Sequence, residues 1–198
     1  MRITNFGTGE SYVQKRRRRF DEPGQARELT FSCYRRFQFL ARDRTRQWFV
    51  EEMEAARREF PIDLWAYVIM PEHVHMLVYP REPGVKVGVV EGRIKEKVAR
   101  RAIKFLEEHA PQWIPRITVH EGQRVRRRFW QPGGGYDRNI TSTEALRAMI
   151  DYIHANPVRR GLVARAEDWE WSSARWYAGQ RPVKLEMDHG VLPELASR

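Results

Sequence analysis

Apolar and polar residues follow two spacings along this chain, which divide it into strands and helices. Alternating runs of β-forming residues predict three strands, over residues 28–37, 64–70 and 73–79. Apolar residues that recur every three or four positions predict three amphipathic helices, over residues 43–60, 87–105 and 143–156. The last helix begins with a capping sequence, TSTE, and we expect Pro157 to stop it.

A fourth strand is expected from residues 117–120 and 124–131, which flank the turn at Glu121-Gly122. Residues 132–135 (PGGG) are interpreted as a flexible joint before the last helix. The order strand-helix-strand-strand-helix-strand-helix is that of an α+β ferredoxin-like fold with an added C-terminal helix. We therefore expect an antiparallel sheet in βαββαβ order, with the strand of residues 73–79 near its centre.

Composition divides the chain into three segments. Residues 1–27 are polar and contain several glycines, and they are interpreted as a basic flexible arm. Residues 28–163 contain all the predicted strands and helices and form the main domain. Residues 164–198 are first rich in aromatic residues and then polar, so we expect an aromatic strap on the core followed by a loose C-terminal tail.

The composition also narrows the classes of partner. The 198 residues are 41% hydrophobic, which is enough for a packed core, and their net charge of +10 indicates a polyanionic partner. No apolar run is long enough to span a bilayer and no signal peptide is recognisable, so we expect no membrane partner and a cytoplasmic location. The single cysteine, Cys33, excludes an intrachain disulfide and a cysteine metal cluster.

Basic residues are concentrated in places where nucleic acid could contact them. The arm contains five adjacent cations, whose mutual repulsion a phosphate backbone would relieve. The second helix has a basic face and the fourth-strand region has a basic run, although such sets are also typical of solvated surfaces. The candidate DNA-binding residues, including two in the segment before the last helix, are Lys15, Arg16, Arg17, Arg18, Arg19, Arg93, Lys97, Arg101, Arg126, Arg127, Arg128, Tyr136 and Arg138.

The candidate chemistry lies in two short motifs that are distant in the sequence. His73 and His75 are two positions apart on a strand, so their side chains point to the same face. Tyr152 and Asn156 are four positions apart on a helix and also share a face. Together they offer two imidazoles, one amide oxygen and one phenol. Two nitrogens and one oxygen with open coordination positions favour Mg²⁺ or Mn²⁺ over closed structural zinc.

Either motif alone also has an ordinary structural explanation, because strand histidines and helix tyrosines are often merely packed. As a nucleophile, Tyr152 would form a covalent phosphotyrosine that conserves the energy of the broken bond, which suits strand transfer. Tyr136 is a rival nucleophile without a partner at i+4, and we interpret it as structural or DNA-positioning. His154 should face away from the metal, because it lies about 200° around the helix from Tyr152.

Several segments together resemble a known family, the single-tyrosine transposases with a His-hydrophobic-His motif and, within them, the REP-associated tyrosine transposases. The resemblance covers roughly residues 28–177, and its most specific part is the Tyr-Ile-His-x-Asn-Pro-Val block that begins at Tyr152. The matching segments are 70–78 (MPEHVHMLV), 129–131 (FWQ), 135–138 (GYDR), 152–163 (YIHANPVRRGLV) and 168–174 (DWEWSSA).

The resemblance implies both a reaction and the residues that perform it. The catalytic tyrosine of the family falls on Tyr152, its metal-binding histidines fall on His73 and His75, and its polar helix ligand falls on Asn156. Residues 28–163 would then be the catalytic domain. Family members cut single-stranded DNA at or near hairpins formed by repetitive extragenic palindromes, leaving a 5′-phosphotyrosine and a free 3′-OH. The chain would act as a monomer or a homodimer.

Two positions depart from the family pattern. Glu72 stands where asparagine is common, which adds a negative charge beside the metal site. The glycine run at residues 133–135 replaces the usual bulky residue before the Tyr-Asp-Arg sequence. Neither change removes a catalytic group, and both bear on target preference and turn geometry.

Two other functions share some of these features. A ferredoxin-like module could bind RNA or DNA by stacking and phosphate contacts without cutting it. Such a sheet presents aromatic residues on its open face, where this chain presents His73 and His75. A replication initiator or relaxase would use the same chemistry, but those proteins usually have longer chains and often a second tyrosine. We therefore expect an enzyme that nicks and rejoins DNA.

Overall fold

The structure is a computed structural model that describes residues 2–4, 11–13, 24–133 and 135–188, with side chains described from residue 24 onward. No helix in this part of the chain is long and apolar enough to cross a membrane. The strands are β1 (Arg2–Thr4), β2 (Ser11–Val13), β3 (Ala26–Ser32), β4 (Ile62–Ile69), β5 (His73–Pro80), β6 (Thr118–Glu121), β7 (Arg124–Arg127) and β8 (Tyr136–Ile140). The α-helices are α1 (Asp43–Glu59), α2 (Val87–His109), α3 (Ile114–Ile117), α4 (Thr143–Arg159) and α5 (Ala174–Tyr177).

Four strands form the central sheet, in the order β4-β5-β3-β8, and every neighbouring pair is antiparallel. β5 and β3 therefore occupy the middle. In this register Thr30 of β3 lies opposite His75 of β5 on one side and Tyr136 of β8 on the other. The predicted combination of an antiparallel sheet with helices is confirmed.

The two faces of the sheet contact different helices. Alternate residues of the central strands, such as Phe31 and Met76, pack with α1 and α2 in one apolar cluster. On the opposite face, Leu77 belongs to a second cluster with Ile150 and Ile153 of α4. Because side chains alternate along a strand, positions 28, 30 and 32 of β3 and positions 73 and 75 of β5 lie on the α4 face. All five are polar or charged, so α4 covers a polar strip as well as an apolar one.

The fourth strand of the sheet differs from the predicted one. Residues 118–121 and 124–127 do pair, but they form a separate hairpin of β6 and β7, and Arg124–Arg127 is exposed throughout. β8 takes the place beside β3 instead, in the segment between the predicted joint and the last helix, where no strand is predicted. Ile140 is the only buried apolar residue of β8, so this polar edge strand lacks the apolar alternation that marks a strand.

A glycine and a buried ion pair bring β8 into the sheet. Gly135 has a φ of +66°, and a Cβ there would stand 1.9 Å from the main-chain oxygen of Thr30. Position 135 therefore requires glycine. It makes a close contact with β3, where the sequence predicts a flexible joint. Two positions later, the Asp137 carboxylate accepts hydrogen bonds from the Arg27 guanidinium at 2.7 and 2.9 Å. Both side chains of this pair are almost completely buried.

The first strand of the sheet ends earlier than predicted. β3 stops at Ser32, and a 3₁₀ turn, Tyr34–Arg36, follows it. Arg35 and Arg36 have φ values of 52° and 54°, which lie in the left-handed region that a strand cannot contain. Residues 34–36 therefore form a turn, although the sequence around them favours a continuous strand.

The last helix extends beyond its predicted end. Pro157 lies inside α4, which continues to Arg159. A proline has no N–H to donate to the Ile153 carbonyl. The side-chain amide of Asn156 donates instead to the main-chain oxygens of Tyr152 at 2.8 Å and Ile153 at 3.4 Å. Because the Ile153 carbonyl keeps a donor, the helix tolerates proline in its last turn.

The two ends of the chain differ in what the structure describes. Within the predicted arm, β1 and β2 pair with each other, as the β-forming residues Ile3, Tyr12 and Val13 favour. The basic run at residues 15–19 lies outside the described residues. After α4, the chain covers the free edge of β4, where the Ile69 amide donates to the Trp171 carbonyl at 2.9 Å.

Candidate active site

Two histidines of β5 lie side by side beneath α4. His73 and His75 are opposite Ser32 and Thr30 of β3 in the register of the sheet. Both side chains are buried, and their ring centroids lie 4.9 Å apart with the rings nearly perpendicular. The structure therefore places the two predicted ligands on one face and within reach of a single ion.

Helix α4 brings the other two predicted residues to the same place. The Tyr152 ring lies 5.5 Å from the His75 ring, at an angle of 89°, and Asn156 follows one turn later. Tyr152 is 39% exposed, whereas Asn156 is buried. All four predicted residues line a single cavity of about 370 Å³. The other residues that line it are Thr30, Ser32, Arg36, Arg159 and Arg160.

Hydrogen bonds determine which ring nitrogen of each histidine remains open. Nδ1 of His73 lies 3.2 Å from the Glu72 carboxylate, and Nδ1 of His75 lies 2.7 Å from the Thr30 hydroxyl. That hydroxyl also lies 3.3 Å from the Glu28 carboxylate, so an arrangement in which Thr30 donates to Glu28 and accepts from His75 satisfies all three groups. In this arrangement each Nδ1 carries the ring proton, and each Nε2 keeps a lone pair for a ligand.

The first histidine is neutral near pH 7. Burial, followed by the charge of His75, lowers the pKa of His73 to about 4, although Glu72 acts in the opposite direction. A neutral imidazole is the form that binds a metal.

His154 lies on the side of α4 away from the cavity. Its Nε2 is 2.8 Å from the Ser173 hydroxyl.

Glu72, the residue that departs from the family pattern, is buried beside the cavity. Its Oε1 is the atom that faces His73, and the same oxygen lies 3.1 Å from the Arg160 guanidinium. Its Oε2 is buried and has no hydrogen-bond partner among the described residues. The negative charge expected at this position therefore orients one histidine and pairs with one arginine.

The amide of Asn156 has its two ends in different surroundings. Its nitrogen donates to main-chain carbonyls of α4, which only an N–H can do. Its oxygen is thus the end left for the cavity that Asn156 lines. In the described part of the chain, no three His, Cys, Asp or Glu side chains form a metal-binding group. The set of two imidazole nitrogens and one amide oxygen nevertheless fits a divalent cation with open positions.

Three arginines of the cavity are absent from the sequence prediction. Arg36 lies in the turn after β3, Arg159 is the last residue of α4, and Arg160 follows it. Arg159 could have been found, because it lies seven positions after Tyr152 and so returns to the same face of the helix. Its guanidinium carbon lies 5.1 Å from the Tyr152 ring centroid. Arg36 gives no such signal, because its position depends on the left-handed turn.

A second cavity adjoins the first on the β8 side. It measures about 400 Å³ and shares Thr30, His75 and Tyr152 with the first cavity. The remaining residues that line it are Glu28, Tyr136, Arg138 and Met149. Two of the predicted DNA-binding residues, Tyr136 and Arg138, are thus beside the candidate nucleophile, although no apolar pattern predicted the strand that carries them.

The predicted DNA-binding residues of α2 lie elsewhere. α2 packs on the face of the sheet opposite to α4, so Arg93, Lys97 and Arg101 do not line either cavity. Arg93 lies 3.4 Å from the Glu59 carboxylate, and Arg101 lies 2.6 Å from that of Glu51. These contacts are typical of a solvated, ion-paired surface.

The predicted cations of the fourth-strand region also lie outside the cavities. They belong to the separate hairpin of β6 and β7 and its continuation. Arg126 and Arg128 pair with Glu121, and Arg127 pairs with Glu107. The hairpin therefore presents a basic surface in which much of the charge already has an acidic partner.

Comparison with known proteins gives two named relatives, while no protein-family model matches the chain. The chain is 27% identical over 169 residues to a Haemophilus influenzae protein assigned as a REP-associated tyrosine transposase, covering 80% of this chain and 88% of that protein. It is 28% identical over 121 residues to the REP-associated tyrosine transposase of Escherichia coli, covering 59% of this chain and 57% of that protein.

A solved structure has the same fold. The structure of a REP-associated tyrosine transposase bound to a REP hairpin matches 91% of this chain and 96% of that chain, with a TM-score of 0.64 and 22% identity. The two relatives support a function of the transposase type. The likeness to the solved structure shows the fold. Within that class the chain is similar to the REP-associated tyrosine transposases, as its motifs predict.

Proposed function

We propose that this protein is a metal-dependent endonuclease and strand transferase that cuts single-stranded DNA at or near a palindromic hairpin. The observation that carries the proposal is the position of Tyr152, which faces two oriented histidines across one cavity. A tyrosine and a ligand set in one basic cavity are what covalent phosphoryl transfer requires.

The metal would be bound by Nε2 of His73, Nε2 of His75 and the amide oxygen of Asn156. A divalent cation, Mg²⁺ or Mn²⁺, would polarise the phosphate and stabilise charge on the leaving oxygen. Glu72 contacts His73 directly and Glu28 reaches the other histidine through a hydroxyl, and these contacts would hold both rings in the orientation that ligation needs.

Tyr152 would perform the chemical step. Its phenol loses a proton, and its oxygen forms a bond to phosphorus while the bond from phosphorus to the 3′ oxygen breaks. The 3′ oxygen takes up a proton and leaves as a free 3′-OH, and the 5′ side of the DNA stays on Tyr152 as a phosphotyrosine. Because one phosphoester replaces another, a second 3′-OH can reverse the step and rejoin the strand.

The two adjoining cavities would receive the DNA strand around the cut. The first is lined by three arginines, which favours phosphate, and the second by Tyr136 and Arg138, which favours a base and its backbone. The related transposase structure contains a REP hairpin. A hairpin with a single-stranded flank is accordingly the substrate that we propose for this chain.

The ferredoxin-like plan is part of the proposal. The central sheet follows the chain order β3-α1-β4-β5-α2-β8, and α4 then carries Tyr152. β6 and β7 are an insertion between α2 and β8. On this plan the histidine strand is central, so the ligands stand on a strand that is hydrogen-bonded to a neighbour on each side.

The direct test is incubation of the full chain with single-stranded hairpin DNA from the flanks of its own gene, together with Mn²⁺. We expect a denaturation-resistant protein–DNA adduct with the wild type and none with Tyr152→Phe. The phenol oxygen contributes little to affinity, so hairpin binding by Tyr152→Phe should change by less than about threefold. Tyr136→Phe is the matched control, and it should still form the adduct.

The outcomes separate the candidate functions. An adduct with Tyr152→Phe but not with Tyr136→Phe would contradict the assignment and make Tyr136 the nucleophile. Hairpin binding without any adduct or nicking by the wild type would leave a binding module and contradict the proposed enzyme. Full cleavage in EDTA would contradict the metal assignment alone.

A further inference from the structure

Two consecutive arginines adopt a backbone conformation that ordinary residues avoid. Arg35 and Arg36 have φ values of 52° and 54°, and among the described residues they are the only non-glycine residues with positive φ. Each such residue lowers the stability of the fold, because the Cβ approaches the main chain. Strain of this kind persists where the surroundings impose it, and it is concentrated at functional sites.

The surroundings of this turn do impose it. The amide of Cys33 donates to the Glu72 carbonyl, and the amide of Tyr34 donates to the Phe129 carbonyl, both at 2.8 Å. The turn closes on itself with a 3.0 Å bond from the Phe37 amide to the Tyr34 carbonyl. The strained turn is therefore tied to the segment just before the histidine strand and to the chain after the β7 strand.

The two strained arginines point to different places. Arg36 lines the cavity that contains His73 and Tyr152. Arg35 lines neither cavity, and its guanidinium carbon lies 5.7 Å from the Tyr34 ring centroid.

A second arginine approaches the same cavity from α4. The guanidinium of Arg159 lies over the Tyr152 ring, whereas that of its neighbour Arg160 is paired with Glu72. In the described part of the chain, neither Arg36 nor Arg159 is paired with a carboxylate. Two cations from separate elements thus line a cavity with the nucleophile, and neither has an acidic partner among the described residues.

We propose that Arg36 and Arg159 form a clamp for a DNA phosphodiester beside Tyr152, and that the strained turn exists to place Arg36 in that clamp. This inference rests on the proposed function and deepens it. A guanidinium matches the geometry of phosphate oxygens and can donate two hydrogen bonds to them. The clamp would orient the phosphate for in-line attack by the phenol, which is a role that the histidines and Asn156 do not fill.

The test compares Arg36→Gly with Arg35→Gly. Glycine adopts the left-handed conformation without strain, so each variant should raise the midpoint of thermal unfolding by about 2 °C. Arg36→Gly should nevertheless lower the rate of adduct formation by about 100-fold, whereas Arg35→Gly should leave that rate within about twofold of the wild type. The opposite signs for stability and activity in Arg36→Gly exclude a simple loss of folding.

A binding measurement separates failure of the clamp from failure of the proposed function. In Tyr152→Phe protein, which cannot react, adding Arg36→Gly or Arg159→Ala should each reduce the slope of log affinity against log salt by about 0.7 on single strands. Adding Arg35→Gly should leave the slope unchanged. Equal slopes in all variants, or equal cleavage by Arg36→Gly and wild type, would overturn the clamp. A wild type that binds DNA but forms no adduct would instead overturn the proposed function.

Discussion

At the scale of single residues, the Thr30 hydroxyl sets the orientation of the His75 ring. The Thr30 hydroxyl lies 2.7 Å from His75 Nδ1 and 3.3 Å from the Glu28 carboxylate, so it can accept from the ring while it donates to Glu28. The ring therefore turns its Nε2 toward the cavity. Glu72 orients the His73 ring in the same way, but through a direct contact with its Nδ1. Glu28 and Glu72 therefore affect the cavity by orienting the two imidazole rings.

Thr30→Val tests this orientation, because valine keeps the shape of threonine and the β propensity but removes the hydroxyl. We expect the dissociation constant for Mn²⁺ to rise by about tenfold, since partners of ligating histidines typically contribute that much to metal affinity. Calorimetric titration of the DNA-free protein with Mn²⁺ measures it.

The matched control is Thr118→Val, which removes a hydroxyl that donates to the Ile114 carbonyl far from the cavity. Its affinity for Mn²⁺ should equal that of the wild type. Unchanged Mn²⁺ affinity in Thr30→Val would show that the hydroxyl does not orient His75. Unchanged affinity in His75→Ala would contradict the metal site itself.

At the scale of elements, the entry of β8 into the sheet depends on one position without a side chain. Gly135→Ala would place a Cβ 1.9 Å from the Thr30 oxygen, at a φ that alanine avoids. Main chain cannot yield as a flexible side chain can, so we expect a loss of roughly 3–5 kcal/mol in the free energy of unfolding. Urea denaturation measures this loss.

Gly133→Ala provides the comparison for this variant. Gly133 also has a positive φ, of +94°, but a Cβ there would meet nothing within 4 Å. Its cost should therefore be only the backbone strain, about 1–2 kcal/mol. If the two variants were equally stable, the close contact with Thr30 would not be what selects glycine at position 135.

The same strand shows where prediction from sequence stops. The helices and the strand of His73 and His75 could be predicted because buried positions recur along them at regular spacing. The shared helix face of Tyr152 and Asn156 could be predicted because it depends only on local helical spacing. β8 is a polar edge strand that depends on Gly135 and on an ion pair between Arg27 and Asp137, residues far apart in the sequence. No local sequence pattern indicates a contact between residues so far apart. The nearby segments that contain Val119 and Val125 have a more regular strand pattern, so the sequence favoured them as the fourth strand.

At the scale of the whole molecule, the net charge of +10 is distributed unevenly. Cations of α2 and of the β6–β7 hairpin are largely paired with carboxylates. The cavity arginines Arg36 and Arg159 have no acidic partner among the described residues. The basic run at residues 15–19 lies outside those residues, and its contribution to DNA binding stays a prediction from sequence.

Replacing residues 15–19 with glutamine tests that contribution while keeping the chain length. If all five cations contact single-stranded phosphates, the slope of log affinity against log salt should fall by roughly three to four. The rate of adduct formation at saturating DNA should change by less than about twofold, because the proposed chemical step depends on Tyr152 and the metal ligands and not on this run. An unchanged slope would identify the run as a solvated segment without DNA contacts.

The central claim is that Tyr152 becomes covalently joined to DNA, and mapping the joined peptide tests it most directly. After reaction with hairpin DNA and Mn²⁺, tryptic digestion separates the two candidate tyrosines, because Tyr152 lies in peptide 148–159 and Tyr136 in peptide 129–138. Mass spectrometry should find the nucleotide mass on peptide 148–159, at Tyr152. The same mass on peptide 129–138, or an adduct on neither peptide, would contradict the account.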